Sequence, residues 1–183
     1  MSIEAARSSR RAALRHLAAP VAVLTVCHEG SSHGTTVSAL VRVSQSPLLL
    51  GACLRAGSEL AGLAVADGRF VVNVLGGAQT ALARRFADRS RPAGVAQFAG
   101  TGWHPDSYSA APLLDGALAH YVCRVSGCFV IGDHEVLLGQ VVRATSSDGQ
   151  PLLSYAGGLF SGVLPPLQST GPSVASKKDE ARS

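Results

Sequence analysis

A mainly β protein with short helices, its strands forming a closed or partly open antiparallel barrel, is the fold class this sequence predicts. Three observations predict it. Short runs rich in Val, Thr and Leu recur along the chain. Turn residues, not crossover helices, separate those runs, and a parallel pair would need a crossover of about a dozen residues. Only two internal segments read as helical, and a sheet with so little helical cover hides its edges best by curling on itself.

Taken in order, Ile3 to Leu17 reads as an amphipathic helix that Pro20 stops. Val21 to Cys27 is a β-branched apolar run and hence a strand, followed by turn material from His28 to His33. Gly34 to Ser44 reads as one strand, broken by Ser46-Pro47, and Leu48 to Leu54 as a buried strand. Ser58 is an N-cap for a short helix through Ala66, ended by Asp67-Gly68. Arg69 to Leu75 is a strand, and Ala78 to Asp88 a helix with Leu82 and Phe86 spaced i, i+4 toward the core.

The stretch 90–112 holds Pro92, Gly94, Gly100, Gly102, Pro105 and Pro112, and reads as a long loop with little structure. Ala117 to Val130 alternates as a half-buried strand, with Gly132-Asp133 as a hairpin turn. His134 to Ala144 and Pro151 to Tyr155 follow, giving about six strands, with Tyr155 read as core. The expected organisation is an N-terminal helix over 1–20, one domain over 21–163 and a disordered tail over 164–183, rich in Pro, Ser, Lys and Glu.

Composition narrows function. The 183 residues are 46% hydrophobic and 15% charged, so some apolar surface is expected to pair between subunits. The net charge of +4 is scattered and aromatics make up 5%, which argues against nucleic acid as a partner. No apolar run reaches the ~18 residues of a membrane span, and no secretory signal opens the chain, so a cytoplasmic protein without membrane contact is expected. Cys27, Cys53, Cys123 and Cys128 form no CxxC pair and sit in apolar stretches; free buried thiols and no metal site are expected.

Several motifs are missing. There is no GxGxxG between a strand and a helix, no P-loop, no GxSxG elbow, and no second His at helical spacing from His134-Glu135. What remains is a barrel without a catalytic motif of its own, the setting in which a bound cofactor does the chemistry.

A series of pieces nevertheless runs in a recognisable order: Val21 to Thr25, His33 to Ala39, Val43 to Pro47, Phe70 to Leu75, Gln79 with Leu82 to Ala87, Gly132 to His134, Gly139 to Val141, and Pro151 to Leu153. In that order the chain resembles the flavin reductase-like, FMN-binding split-barrel proteins, the small reductase components of two-component monooxygenases. The resemblance implies a dimeric split β-barrel that binds flavin near the subunit interface. It implies oxidation of NADH or NADPH by FMN or FAD, and a flavin-dependent monooxygenase as partner for the reduced flavin.

The resemblance also assigns roles. Thr35, Thr36, Val37 and Ser38 would line the isoalloxazine site, with Ser44 and Cys53 among the flavin contacts. Arg55 and Ser58 would meet the phosphate or ribityl chain, since the N–H groups at a helix start suit an anion. Arg84, Arg85 and Phe86 close the second helix, where a basic residue would reach the phosphate; the two arginines lie about 100° apart on a helix, so one faces the ligand. His134 would border the pocket as the residue positioning nicotinamide or flavin; independently of the resemblance, the place of Trp103 and His104 in the long loop makes them candidates to cover it. Three positions depart from the family pattern: Ala19-Pro20, Leu48, and Glu59, which adds negative charge beside the phosphate contact. An NAD(P)H:flavin oxidoreductase is the leading function. A non-catalytic flavin-binding module is the alternative, and a nucleic-acid-binding barrel the third.

Overall fold

The computed structural model describes residues 12–162 and Ser8. Of the N-terminal helix expected over Ile3 to Leu17, Ser8, Ala12 and Ala13 are helical and a 3-10 turn follows at Leu14–His16; the rest of it and the tail 164–183 lie outside the described residues.

A short strand, Ala19–Pro20 (β1), precedes Ala22–His28 (β2). Residues 22–26 of β2 are all buried. That pattern needs cover on both faces, which is why the run is apolar apart from Thr25, whose hydroxyl has an internal acceptor. Glu29 and Gly30 both take positive φ, which makes the tight hairpin to Ser31–Val37 (β3). Leu40–Gln45 (β4) and Leu48–Arg55 (β5) form the next hairpin. Glu59–Asp67 (α1) follows, capped by the Ser58 side chain and ended by Gly68 at φ 80. Arg69–Val74 (β6), a 3-10 turn at Gly77–Gln79, Thr80–Ala87 (α2) and a 3-10 turn at Gly94–Phe98 come next. Trp103–Pro105 (β7) pairs with Pro112–Leu114 (β8). The long hairpin Ala119–Ile131 (β9) and His134–Ser146 (β10) precedes Leu152–Tyr155 (β11) and Gly158–Ser161 (β12).

The main sheet has seven strands in the order β3-β2-β6-β9-β10-β5-β4, every pair antiparallel. A second sheet runs β1-β11-β12. In the main sheet β3 and β4 stand at opposite ends, yet only Ser38 and Ala39 separate them in sequence. Three Cα steps span at most about 11 Å, so the sheet must curl until its two edges approach. The edges do not hydrogen-bond to each other, so the sheet is not closed.

Inside the curl, Leu24, Leu54, Leu60, Phe70, Val72 and Leu137 form one buried cluster, into which α1 sends Leu60, Ala61 and Ala64. Outside, Val21, Val23, Phe86, Phe98, Leu114 and Leu152 form a second. Each fully buried Phe contributes about 2–3 kcal/mol of transfer free energy. Between the layers Asn73 is completely buried. Its Nδ2 donates to the Val23 carbonyl at 3.0 Å and to Thr25 Oγ1 at 3.1 Å, and its Oδ1 accepts from Leu114 N–H at 2.8 Å. The Thr25 hydroxyl donates to the Pro112 carbonyl at 2.7 Å. The β7–β8 hairpin is thereby fastened to β2 and β6.

The structure differs from the sequence reading at several points. The strand expected over Gly34 to Ser44 is two strands, because the chain leaves one edge of the sheet at Val37 and joins the other at Leu40. The expected count of about six strands falls short of the twelve among the described residues because the short β1, β7, β8 and β12 carry too few residues for a periodic signal and one expected strand is two. The stretch 90–112 is ordered: Asp106 is buried, accepts from the Tyr108 and Ser109 N–H groups, and pairs with Arg143. Tyr155 is 40% exposed and stacks edge-on with His16 and Phe160 at the surface, so it is not core. All four cysteines are free, but only Cys123 is buried; the others are half-buried. Among the described residues no helix is long and apolar enough to cross a membrane.

Removing the Asn73 amide strands the Leu114 N–H and two acceptors in the core. Asn73→Ala is expected to lower the unfolding free energy by about 2–4 kcal/mol, read as a lower urea midpoint at an unchanged slope. An unshifted midpoint contradicts this role.

Candidate functional site

Where the free edge of β3 faces the end of β5, which extends past the start of β4, without pairing, a cavity of about 760 Å³ opens. One wall is β3 and the two-residue link, with Thr35, Thr36, Val37, Ser38 and Ala39. The opposite wall is the end of β5 and the turn after it, with Cys53, Arg55, Gly57 and Ser58. His134 stands at one rim; Arg89 and Arg91, just past α2, stand at another. Ser38 and Ala39 also border a second cavity of about 600 Å³ beneath Leu17, Pro20 and Tyr155, so the link has open space on two sides.

The β3 wall offers unused polar groups. Gly34 N–H donates to Gln97 Oε1 at 2.9 Å and the Gly34 carbonyl accepts from Arg91 at 2.6 Å, so Gly34 faces the free edge of the strand. By the alternation of an antiparallel ladder, the N–H and C=O of Thr36 point the same way. Among the described residues they have no partner, and neither do the hydroxyls of Thr35 and Ser38. The Thr36 hydroxyl is occupied, donating to the Ala83 carbonyl at 2.7 Å, which ties α2 to β3. Gly34 itself lies under Phe86: a Cβ there would sit 2.8 Å from the ring, so only glycine lets the helix pack this closely.

Behind the β3 wall sits a fixed polar cluster. Gln97 is completely buried and its amide also donates to the Ser32 and Gly94 carbonyls. It occupies the edge of β3 much as a neighbouring strand would. Arg91 donates to the Asp88 carbonyl at 2.6 Å and lies 3.3 Å from His33 Nε2. His33 Nδ1 lies 3.5 Å from Glu59. Burial pushes the His33 pKa below its usual 6.5; Glu59 works against that and Arg91 with it. Glu59, on α1, thus lies beside a histidine and near a guanidinium instead of standing as a lone negative charge.

The far wall is just as constrained. His134 pairs in register with Arg55, and its Nδ1 lies 2.8 Å from Asp133. The hydrogen bond from that ring is the main cause holding the Asp133 carboxyl below its usual range. Gly57, at φ 75, turns the chain into α1. Among the N–H groups at the start of α1, that of Ser58 is already donated to the Arg55 carbonyl at 3.1 Å and to Glu135 Oε1 at 2.8 Å. Arg55 and Arg89 make no side-chain hydrogen bond among the described residues and leave positive charge facing the cavity. No cluster of His, Cys, Asp and Glu able to hold a metal occurs among the described residues.

Residues 14–162 match the model of the flavin reductase like domain. The chain belongs to the flavin reductase-like family. It is 36% identical over 159 residues to an NADPH-flavin oxidoreductase of Streptomyces viridifaciens, covering 84% of this chain and 82% of the relative. The solved flavin reductase component of a bacterial two-component tryptophan halogenase superposes with a TM-score of 0.79 at 30% identity, covering 85% of this chain and 97% of that one. The NADH:FAD oxidoreductase of Streptomyces globisporus, solved with NAD and FAD fragments, superposes with a TM-score of 0.81 at 29% identity, over 91% of this chain and 98% of that one.

Within this flavin reductase-like chain, the cavity gathers Thr35, Thr36, Val37, Ser38, Cys53, Arg55, Ser58 and His134. Six other residues marked in the sequence stand away from it. Phe86 is fully buried, because the apolar face of α2 turns to the core and leaves no surface for a ligand. Arg85 donates to the Ala99 carbonyl and Thr101 hydroxyl on the far side, and Arg84 does not line the cavity. Ser44 lies toward the opposite end of β4, paired with Leu49. Trp103 packs against Phe98, and neither it nor His104 covers the cavity. The basic groups at the site are instead Arg89 and Arg91, which follow the helix. His33, Gln97 and Glu135 went unmarked as site residues, since their roles depend on partners dozens of residues away.

His33 sets a pH dependence. Its folded pKa is depressed, so the unfolded chain binds the proton more readily, and stability rises with pH through the window below 6.5. As pH falls from 6.5 through the folded pKa, stability is lost. Urea midpoints measured from about pH 7.5 to 5 should fall toward acid in the native chain and fall less in His33→Gln. Equal slopes contradict the assignment.

Proposed function

We propose that this chain is an NAD(P)H:flavin oxidoreductase that binds FMN or FAD in the cavity between the sheet edges and passes the reduced flavin to a partner monooxygenase. The observation that carries the reading is the pairing of an unsatisfied strand edge with unpartnered arginines around one cavity, in a chain of this family. A flat heteroaromatic ring with a polar edge needs donors and acceptors in a row. The Thr36 backbone and the Thr35 and Ser38 hydroxyls supply them. A phosphate needs fixed positive charge, and Arg55, Arg89 and Arg91 supply it.

Bound flavin would accept hydride from the nicotinamide, so the chain's part is to hold two rings in contact and exclude water. The small side chains of Ser38 and Ala39 leave room for stacking, and His134, ordered by Asp133, orients a ligand at the rim. His134 is the residue assigned to positioning in the reaction. The monooxygenase partner rests on relatives such as the reductase component of a two-component tryptophan halogenase and that of 4-hydroxyphenylacetate 3-monooxygenase.

The curled sheet is proposed to be a split barrel that works as a homodimer. Val41 and Val43 are 54% and 50% exposed on one face of β4, and both approach Gly51 there, next to Leu138. Phe129, Val130 and Ile131 continue the apolar surface at the tip of the β9–β10 hairpin. A second copy covering that face would also wall the neighbouring cavity. Four free cysteines suit a reducing cytoplasm.

The test is to follow nicotinamide absorbance with NADH or NADPH, each with FMN, FAD or no added flavin. Oxidation that depends on flavin is expected, from a species of twice the 18.7 kDa chain mass. Arg55→Ala and Arg89→Ala should each raise the flavin KM by about tenfold, with a smaller effect on kcat. A protein that binds flavin yet oxidises neither nicotinamide overturns the reductase reading.

A further inference from the structure

Glu135 is a buried acid in the second position of β10, with only 8% of its surface exposed. A buried carboxylate persists only where donors satisfy it. Both its oxygens have one. Oε1 accepts the Ser58 N–H at 2.8 Å, and Oε2 accepts the Cys128 thiol at 3.8 Å. Burial first, and then the Glu135 charge and hydrogen bond, push the Cys128 thiol pKa up, so it stays a donor. A few ångströms away the Ala56 N–H donates to the Asp133 carbonyl at 3.1 Å. The turn 55–58 therefore hangs from the start of β10 by two backbone N–H groups, one held by main chain and the other by Glu135.

That turn and that strand start are the two parts of the far cavity wall. The turn carries Arg55, Gly57 and Ser58; the strand start carries His134, next in sequence to Glu135 and facing the opposite side of the sheet. We propose that Glu135 is a positioning residue that locks the Ser58 turn to the β10 start, fixing the distance between the anion-binding side chains and His134. It touches no ligand. Its carboxylate also occupies the Ser58 N–H at the start of α1, so anion recognition passes to the arginine side chains. This inference rests on the flavin reductase reading of the same cavity and adds to it a residue that lies outside the cavity lining.

The experiment compares Glu135→Ala, which removes the acceptor, with Glu135→Gln, whose amide oxygen can still accept from Ser58. Glu135→Ala should raise the flavin KM about tenfold while kcat changes by no more than about twofold, the scale of one hydrogen bond to a charged acceptor. Glu135→Gln should restore KM to within about threefold of the native value, although the charge is gone. A merely structural role would lower the melting temperature of both variants and leave KM alone, and that result overturns the proposal. If Glu135→Ala does not fold, amide exchange of Ser58 by NMR without flavin, compared between the native chain and Glu135→Asp, whose shorter side chain draws the acceptor back, decides. Exchange faster by about tenfold or more in Glu135→Asp supports the lock, and equal exchange, which the Arg55 carbonyl alone would give, overturns it. Because that measurement needs no turnover, an inactive native enzyme would sink the reductase reading without touching the lock.

Discussion

The two residues between β3 and β4 impose the constraint on which the rest depends. A link as short as Ser38-Ala39 cannot join opposite ends of a flat seven-stranded sheet. The sheet has to curl, α1 has to fill the curl, and β2 at its inner wall is buried on both faces. The edges come together without pairing, and that failure creates the cavity. A pair of unsatisfied strand edges is a hazard in most folds. Here one edge is partly occupied by Gln97 and Arg91, and the remainder faces the cavity as available hydrogen-bonding surface.

Charge follows the same geometry. The guanidinium nearest the core, Arg91, is held by the Asp88 and Gly34 carbonyls and lies close to His33. Arg55 and Arg89, farther out, are unengaged. A held inner cation beside unengaged outer ones suits an anionic ligand. Glu135 beneath the Ser58 turn is matched to donors and lies outside the cavity lining, whereas Glu59 lies 3.5 Å from His33 but is largely exposed and lines the cavity.

Much of this was legible in the sequence where local chemistry decides structure. The strand Ala22–His28, the Ser58 cap and the Gly132-Asp133 turn each follow from a few adjacent residues, and the structure has them close to where they were expected. The pieces around Thr35, Cys53, Arg55, Ser58 and His134 also marked one place, because strand pairing brings them together. What could not be read depends on distance along the chain. The break at Ser38 is a topological requirement that no propensity encodes. Phe86 looked available for a ligand because the helix's orientation was unknown, and the same ignorance favoured Arg84 and Arg85 over Arg89 and Arg91. Gln97 and Glu135 acquire meaning only from Gly34 and Ser58, each more than sixty residues away.

The central claim, that flavin lies between the two sheet edges, is tested most directly by amide hydrogen exchange with and without FMN. The account predicts slower exchange on adding FMN across residues 33–39 and 53–58, with the β7–β8 hairpin unchanged. Protection confined to segments outside that cavity, with 33–39 and 53–58 unaffected, would contradict it.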